Sequence, residues 1–232
     1  MKLSIIIPAY NEEQRIENTL LKMYDFLKNQ GYDYEVIVVD DGSKDNTIGK
    51  AQASRLYKEG RLKIEKNQSN RGKGFSVRAG ILKSSGDYVL FSDADLSTPI
   101  EEINKLFVYA DKDYDIAIGS RSIKDSDVKI HQPWYREVMG KIFNIFVKVL
   151  LIRDFNDTQC GFKLFKGAVA KDIARVLKIN GFCFDVEMLY LAKVKGCRIK
   201  EVGVTWNNSP QTKVKALKSS VNMFLSLLKI RM

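Results

Sequence analysis

Tyr88-Val89-Leu90-Phe91 is an apolar and aromatic run, and Ser92-Asp93-Ala94-Asp95 follows it directly. The run reads as a buried strand that delivers two carboxylates, one residue apart, into the loop beyond it. Two aspartates so placed repel each other and lose hydration unless a cation neutralises them. Mg²⁺ or Mn²⁺, which takes carboxylate and phosphate oxygens together, is the natural occupant. A D-x-D turn is common and carries little alone; its neighbours give it weight. Pro8-Ala9-Tyr10 and Asp40-Asp41 also close apolar runs, and Asn70-Arg71-Gly72-Lys73-Gly74 is a glycine-rich basic loop. An acidic strand end such as Asp40 can accept a hydrogen bond from a base N–H or a ribose. Tyr10 offers a ring face and a hydroxyl, while Arg71 and Lys73 offer charge to phosphates. The glycines flanking Lys73 let the backbone approach a ligand closely. As an ordered set, these groups describe a nucleoside diphosphate held by a base pocket, a basic loop and a metal on Asp93 and Asp95.

The elements that must position them follow from apolar periodicity. Leu3–Pro8, Glu35–Asp40, Leu62–Ile64, the run ending at Ser92, and Asp115–Gly119 read as strands. Helical stretches separate them. Asn11 is placed to cap the first, with Glu12 and Glu13 in its opening turn and Ile16, Leu20, Met23 and Leu27 on its buried face. Asp45 is placed to cap the second. The basic loop leads into a helix through Val77, Gly80 and Ile81, and another helix starts near Pro99. Alternating β and α with nearly continuous apolar strands predicts a doubly wound, mostly parallel sheet covered on both faces. The carboxyl ends of such strands are where ligands sit.

After Arg121 the rhythm changes. Ser122–Gln132 is polar and reads as a mobile loop. Val138–Ile152 reads as a helix with one narrow polar stripe, Lys141, Asn144 and Lys148. Such a helix is either packed deep in the core or laid in a lipid interface, with core packing favoured. Asp157–Lys163 reads as a turn into a short strand, followed by helices near Gly167–Leu177 and Val186–Val194 and a strand through Ile199–Val204. Residues 1–210 are expected to form the catalytic domain. Residues 211–232 are expected to form a basic amphipathic helix, with Val214, Leu217, Val221, Phe224, Leu225 and Leu228 on one face. That tail suits an anionic membrane surface or a packed helix with solvated lysines; both readings stand.

The chain has 232 residues and a formal net charge of +10. It is large enough for a full core, and its charge points to an anionic partner. Three cysteines without close metal-type spacing suit a reducing, cytoplasmic setting, and neither a signal peptide nor a membrane span is expected. The first strand is not followed by G-x-G-x-x-G, so a dinucleotide is not expected. G-x-x-x-x-G-K-[ST] is absent too, which excludes a P-loop NTPase. His131, the sole histidine, rules out a multi-histidine zinc site. A nucleic-acid partner is not expected, because the basic charge comes without a recognition signature.

Pro8-Ala9-Tyr10-Asn11-Glu12, Val39-Asp40-Asp41-Gly42-Ser43 and Ser92-Asp93-Ala94-Asp95 resemble the successive motifs of the inverting family 2 glycosyltransferases, which have the GT-A nucleotide-sugar fold. Arg71-Gly72-Lys73-Gly74, Gly119-Ser120-Arg121, Asp157–Phe165 and Phe184–Leu189 resemble the dolichyl-phosphate β-glucosyltransferase branch. The resemblance runs to about Trp206 and implies UDP-glucose as donor, a dolichyl or polyprenyl phosphate as acceptor, and Mg²⁺ or Mn²⁺. It implies nucleotide-sugar contacts at Pro8, Tyr10, Glu12, Asp40, Asp41, Arg71, Lys73, Asp93 and Ala94, with the metal on Asp93 and Asp95. Arg121, Arg136 and Lys163 are the candidates for the acceptor phosphate. Asp93, Asp95, Arg121 and Asp185 are the candidate catalytic groups. Asp185 and Glu187 stand where hydroxyl-acceptor relatives carry a base; here they are expected to bind sugar or to position a helix. The implied setting is the cytoplasmic face of a membrane. The alternatives are a GDP-mannose donor with the same lipid, or a sugar-hydroxyl acceptor served by Asp185 or Glu187 as base.

Overall fold

A computed structural model describes residues 1–110, 112–208 and 216–231. Its elements run β1 (Lys2–Ala9), α1 (Ile16–Leu27), β2 (Asp33–Asp40), α2 (Thr47–Ala53), α3 (Arg55–Lys58), β3 (Leu62–Lys66), α4 (Lys73–Lys83), β4 (Tyr88–Ser92) and α5 (Ile103–Ala110). They continue with β5 (Ile116–Ser120), β6 (Asp127–Ile130), α6 (Trp134–Leu150), β7 (Phe162–Lys166), α7 (Gly167–Val176), α8 (Phe184–Val194), β8 (Ile199–Gly203), β9 (Thr205–Asn207) and α9 (Ala216–Arg231). The strands β3-β2-β1-β4-β7-β5-β8 form one sheet in that spatial order, and β6 pairs with β9 beside it. All pairings in the large sheet are parallel except those of β7, which runs antiparallel between β4 and β5.

The sequence dictates this layering. Ile5 and Ile7 face one side of β1 and pack with Leu20, Met23 and Leu90, whereas Ile6 faces the other side with Val77, Ile81 and Phe91. Side chains alternate across a strand, so an unbroken apolar run serves two cores at once. The spacing Ile16-Leu20-Met23-Leu27 buries one stripe of α1, as expected from its period.

Four expectations need correction. Asn11 does not cap α1: its φ is +55, and the helix starts only at Ile16. Instead Asn11 ties two strand ends together, its N–H donating to Ser43 Oγ at 2.8 Å and its Oδ1 accepting from Lys44 N at 2.7 Å. The segment 122–132 is not all loop, because its Asp127–Ile130 part pairs with β9. The helix expected near Pro99 opens as a 3₁₀ turn over Ile100–Glu102.

The fourth correction concerns α6. Core packing was favoured, yet Val147 is its only fully buried residue, and Ile145 and Val149 are 59% and 65% exposed. Two residues of its polar stripe face the protein instead: Asn144 Nδ2 donates to Asn156 O at 2.6 Å and Lys148 Nζ to Asn156 Oδ1 at 2.8 Å, while Lys141 is exposed. Helix α9 lies beside it, with Phe146 and Phe224 edge to face at 5.1 Å and Leu227 buried against Val147. Leu225 and Leu228 of α9 stay exposed. Lys213, Val214, Lys215 and the expected boundary at 210/211 lie outside the described residues.

At the end of the sheet where the parallel strands begin, Glu35 acts as a knot. Its carboxylate accepts from Ser4 Oγ, Ser85 N, Ser85 Oγ and Lys63 Nζ, each at 2.7 Å. Burial pushes its pKa up, but these bonds outweigh burial and hold it at about 2, from an ordinary 4.5. A depressed folded pKa gives stability that is present above the unfolded pKa and lost as pH falls toward the folded one. Glu35→Gln is therefore expected to lower the urea midpoint at pH 7. The gap from the parent should close between about pH 4.5 and pH 2.

Candidate active site

The parallel register sets Ala9 beside Asp40 and Ile6 beside Phe91. The loops after β1, β2 and β4 thus open on one edge, around a cavity of about 480 Å³. The antiparallel β7 adds a partner that no parallel strand could supply there. Phe162 pairs with Ser92, so the turn entering β7 meets the turn leaving β4. Asp93 N donates to Gly161 O at 3.1 Å. A Cβ on Gly161 would fall within clashing distance of both Asp93 carboxylate oxygens. Only glycine leaves that carboxylate its place.

Charges at this edge come in pairs. Lys73, the first residue of α4, sets its Nζ 2.6 Å from Asp93 Oδ1. Arg15 Nη1 lies 3.9 Å from Asp95 Oδ2 and pairs with Glu12 at 2.7 Å. Asp95 Oδ1 also accepts from Ser97 N at 2.9 Å. Arg121 forks onto Asp157, with Nε at 2.6 Å and Nη2 at 2.9 Å, and its guanidinium lies 5.4 Å from the Trp206 ring centre. Burial pushes the Asp157 pKa up, but Arg121 dominates and holds it at about 2. Deleting one member of such a buried pair leaves a bare charge, a loss of about 3–5 kcal/mol. Burial disfavours the Lys73 ammonium, yet Asp93 and Asp185 together hold its pKa above the ordinary value.

Pro8, Tyr10, Glu12, Asp41, Lys73, Asp93, Ala94, Asp95 and Arg121 all line the cavity. Asp40, Arg71, Arg136, Lys163 and Asp185 do not, and each is held elsewhere for a physical reason. The Asp40 side chain is fully buried, and its Oδ2 accepts from Ser43 N at 3.1 Å. The Arg71 guanidinium lies over the Phe75 ring at 4.2 Å. Arg136 sits in the first turn of α6, its Nε buried without a hydrogen-bond partner among the described residues. Lys163 is fully buried, donating to Cys160 O at 2.5 Å and lying 3.4 Å from Asp185 Oδ1. Asp185 is 3% exposed; burial raises its pKa although Lys163 and Lys73 oppose the rise. Among the residues sequence reasoning did not single out, Arg15, Phe182 and Trp206 also line the cavity. Arg15 had a signal in its i,i+3 spacing from Glu12; Trp206 had none.

The basic loop is held open from behind. Asp41 accepts from Asn67 Nδ2, Arg71 N and Gly72 N, all within 2.8–2.9 Å. Gly72 has φ +101 and sits against Asn180 O, where a Cβ would not fit. Asn180 O in turn accepts from Gly74 N at 2.7 Å and Phe75 N at 3.2 Å, closing the start of α4. Glu187 fixes that segment by accepting from Lys178 N at 2.9 Å and Ile179 N at 2.7 Å.

Asp93 and Asp95 offer hard carboxylate oxygens on the cavity wall. Among the described residues no cluster of three or more His, Cys, Asp or Glu is arranged to hold a metal. The pair therefore fits an ion that takes its remaining ligands from water and a diphosphate, which is how Mg²⁺ is usually held.

Comparison with known proteins agrees with this arrangement. Residues 4–173 match the family model "Glycosyl transferase family 2". A dolichyl-phosphate beta-glucosyltransferase of Dictyostelium discoideum is 39% identical over 99% of this chain and 73% of its own length. The Homo sapiens protein of that name is 32% identical over 100% of this chain and 75% of its own. A dolichol-phosphate mannosyltransferase of Pyrococcus furiosus is 35% identical over 89% of this chain and 56% of its own. Among solved structures, glucosyl-3-phosphoglycerate synthase from Mycobacterium tuberculosis, in complex with Mn²⁺, UDP-glucose and glycerol 3-phosphate, superposes with TM-score 0.72. It is 17% identical, covering 99% of this chain and 79% of the other. The chain belongs to glycosyl transferase family 2 and is a hexosyltransferase with the GT-A fold.

Proposed function

We propose that the protein transfers glucose from UDP-glucose to a dolichyl or polyprenyl phosphate, with inversion at the anomeric carbon. The observation that carries this choice of acceptor is the state of Asp185. With Glu187 it is where the resemblance puts the base of hydroxyl-acceptor relatives, yet it is buried, lies 3.4 Å from Lys163 and does not line the cavity. A sugar-hydroxyl acceptor needs a base beside the attacking oxygen. A phosphate monoester, with a second pKa near 6, is already ionised at neutral pH. It needs cations instead. Arg121, on the cavity wall and fixed by Asp157, is placed to meet an anionic acceptor; buried Lys163 is not. The relatives named dolichyl-phosphate beta-glucosyltransferase support glucose and the lipid.

Within the cavity, Asp93 and Asp95 would hold Mg²⁺ or Mn²⁺. That ion would supply positive charge to the diphosphate as UDP leaves. Gly161 keeps Asp93 in place, Arg15 steadies Asp95, and Tyr10 and Asp41 border the space for the nucleotide.

The outward apolar faces of α6 and α9 support a membrane-surface setting. Ile142, Ile145, Val149, Leu225 and Leu228 are exposed, and Lys229 and Arg231 stand beside them. Among the described residues no helix is long and apolar enough to cross a membrane. An interfacial helix with basic flanks binds anionic bilayers through buried apolar area and charge together. Free Cys160, Cys183 and Cys197 support a reducing compartment, hence the cytoplasmic face.

Three outcomes test this reading. Incubated with Mg²⁺, a polyprenyl phosphate and labelled sugar nucleotides, the protein should move label into the organic phase from UDP-glucose and not from GDP-mannose. Label from GDP-mannose alone would overturn the glucose assignment in favour of mannose, the sugar in the name of the Pyrococcus furiosus relative. Asp95→Ala should lower transfer by well over tenfold, and Gly161→Ala should do the same by displacing Asp93; undiminished turnover in excess EDTA would contradict the metal. Ile145→Glu with Val149→Glu should reduce sedimentation with anionic liposomes. Unchanged sedimentation would remove α6 from the membrane contact.

A further inference from the structure

Asp93 and Asp95 stand on the wall of this site and Asp185 is buried away from it, and each has a cation within 4 Å. Lys73 Nζ lies 2.6 Å from Asp93, Arg15 Nη1 lies 3.9 Å from Asp95, and Lys163 Nζ lies 3.4 Å from Asp185. Lys73 and Lys163 also flank one ring, their Nζ atoms 5.2 Å and 5.8 Å from the centre of Phe91. The four groups Asp93, Lys73, Asp185 and Lys163 therefore form one alternating charge cluster, of which Asp93 and Lys73 reach the cavity wall. A divalent ion approaching Asp93 and Asp95 meets one carboxylate already paired with Lys73 and a second that shares Arg15 with Glu12. It also meets the repulsion of an ammonium in direct contact with one ligand. Among the described residues no third carboxylate, histidine or cysteine joins the pair as a metal cluster.

From this geometry, and resting on the proposed metal-and-diphosphate site, we propose that Lys73 makes metal binding conditional on the donor. In the donor-free site its ammonium serves as the counter-ion of Asp93, and a divalent cation gains little by entering. A nucleoside diphosphate brings the negative charge the site lacks. Its oxygens complete the ion's ligand set, and Lys73, on the cavity wall, then faces added phosphate charge as well as Asp93. The ion and the diphosphate thus enter as a coupled pair. Lys73 is a positioning residue for the metal, acting through Asp93. The coupling is reciprocal, because whatever the diphosphate does to metal affinity the metal must do to diphosphate affinity.

Direct Mn²⁺ binding, read from the loss of the free-ion electron paramagnetic resonance signal, tests this without turnover. The full chain should bind Mn²⁺ weakly alone and at least tenfold more tightly with saturating UDP. Lys73→Met should tighten binding without UDP by roughly tenfold, the scale of a released charge-assisted hydrogen bond, and shrink the enhancement by UDP. Lys73→Arg, which keeps the charge, should restore the weak UDP-free binding, and thermal melts of both variants report that the fold is intact. Tight Mn²⁺ binding to the parent without UDP would overturn the proposal and leave the metal site standing. So would a Lys73→Met protein that binds Mn²⁺ no better than the parent, or a melted Lys73→Met paired with a folded Lys73→Arg that binds Mn²⁺ tightly without UDP. No Mn²⁺ binding to the parent even with UDP would overturn the metal site itself, and the proposal with it.

Discussion

A carboxylate taken out of water must find a cation or a set of N–H groups, and the carboxyl edge of this sheet is built around that requirement. Asp157 has Arg121, Asp93 has Lys73, Asp185 has Lys163, and Asp41 has two backbone N–H groups and an amide. Such pairs add little net stability over apolar packing, but an unpaired member is heavily disfavoured. The pairing therefore fixes where each side chain lies. Of these acids, Asp41 and Asp93 reach the cavity wall, and the others hold the wall in place. Asp95, tied to Ser97 N and near Arg15, is the second carboxylate offered to a ligand.

The antiparallel strand β7 makes this arrangement possible. A wholly parallel sheet would bring to this edge only the loops that leave its strands. By reversing direction between β4 and β5, β7 brings to it a loop that enters a strand, carrying Asp157, Cys160 and Gly161 to the foot of Asp93 and Arg121. The same strand carries Lys163 inward to Asp185. One reversed strand thus joins the edge formed by the ends of β1, β2 and β4 to the turn that carries Asp157 and Gly161.

Much of this was legible in the sequence because the signals are local. Continuous β-branched runs marked β1, β2 and β4, and the period of α1 marked its buried stripe. The acidic strand ends marked the edge that bears the cavity. What was not legible depends on tertiary partners. Asp40 and Asp41 look equivalent in the chain, but only Asp41 reaches the cavity. Lys163 looks like a phosphate ligand until β7 turns it into the core. Trp206 reaches the site from a three-residue strand too short to show a period. The exposure of α6 runs against the favoured of its two readings, core packing, because hydrophobicity predicts burial and nothing local shows that a face is left uncovered. Asn144 and Lys148 of its polar stripe bond Asn156, a partner no helical wheel could reveal.

The contact of Asn180 O with the first amides of α4 has a consequence for how anions are met. Exposed amides at the start of a helix make a ready anion cradle, strengthened by the helix macrodipole. Here a backbone carbonyl occupies that cradle. An anion in the cavity cannot rest on those dipoles, as it would in a fold that leaves its helix start bare; the cations that remain on the wall to meet it are Arg15, Lys73 and Arg121.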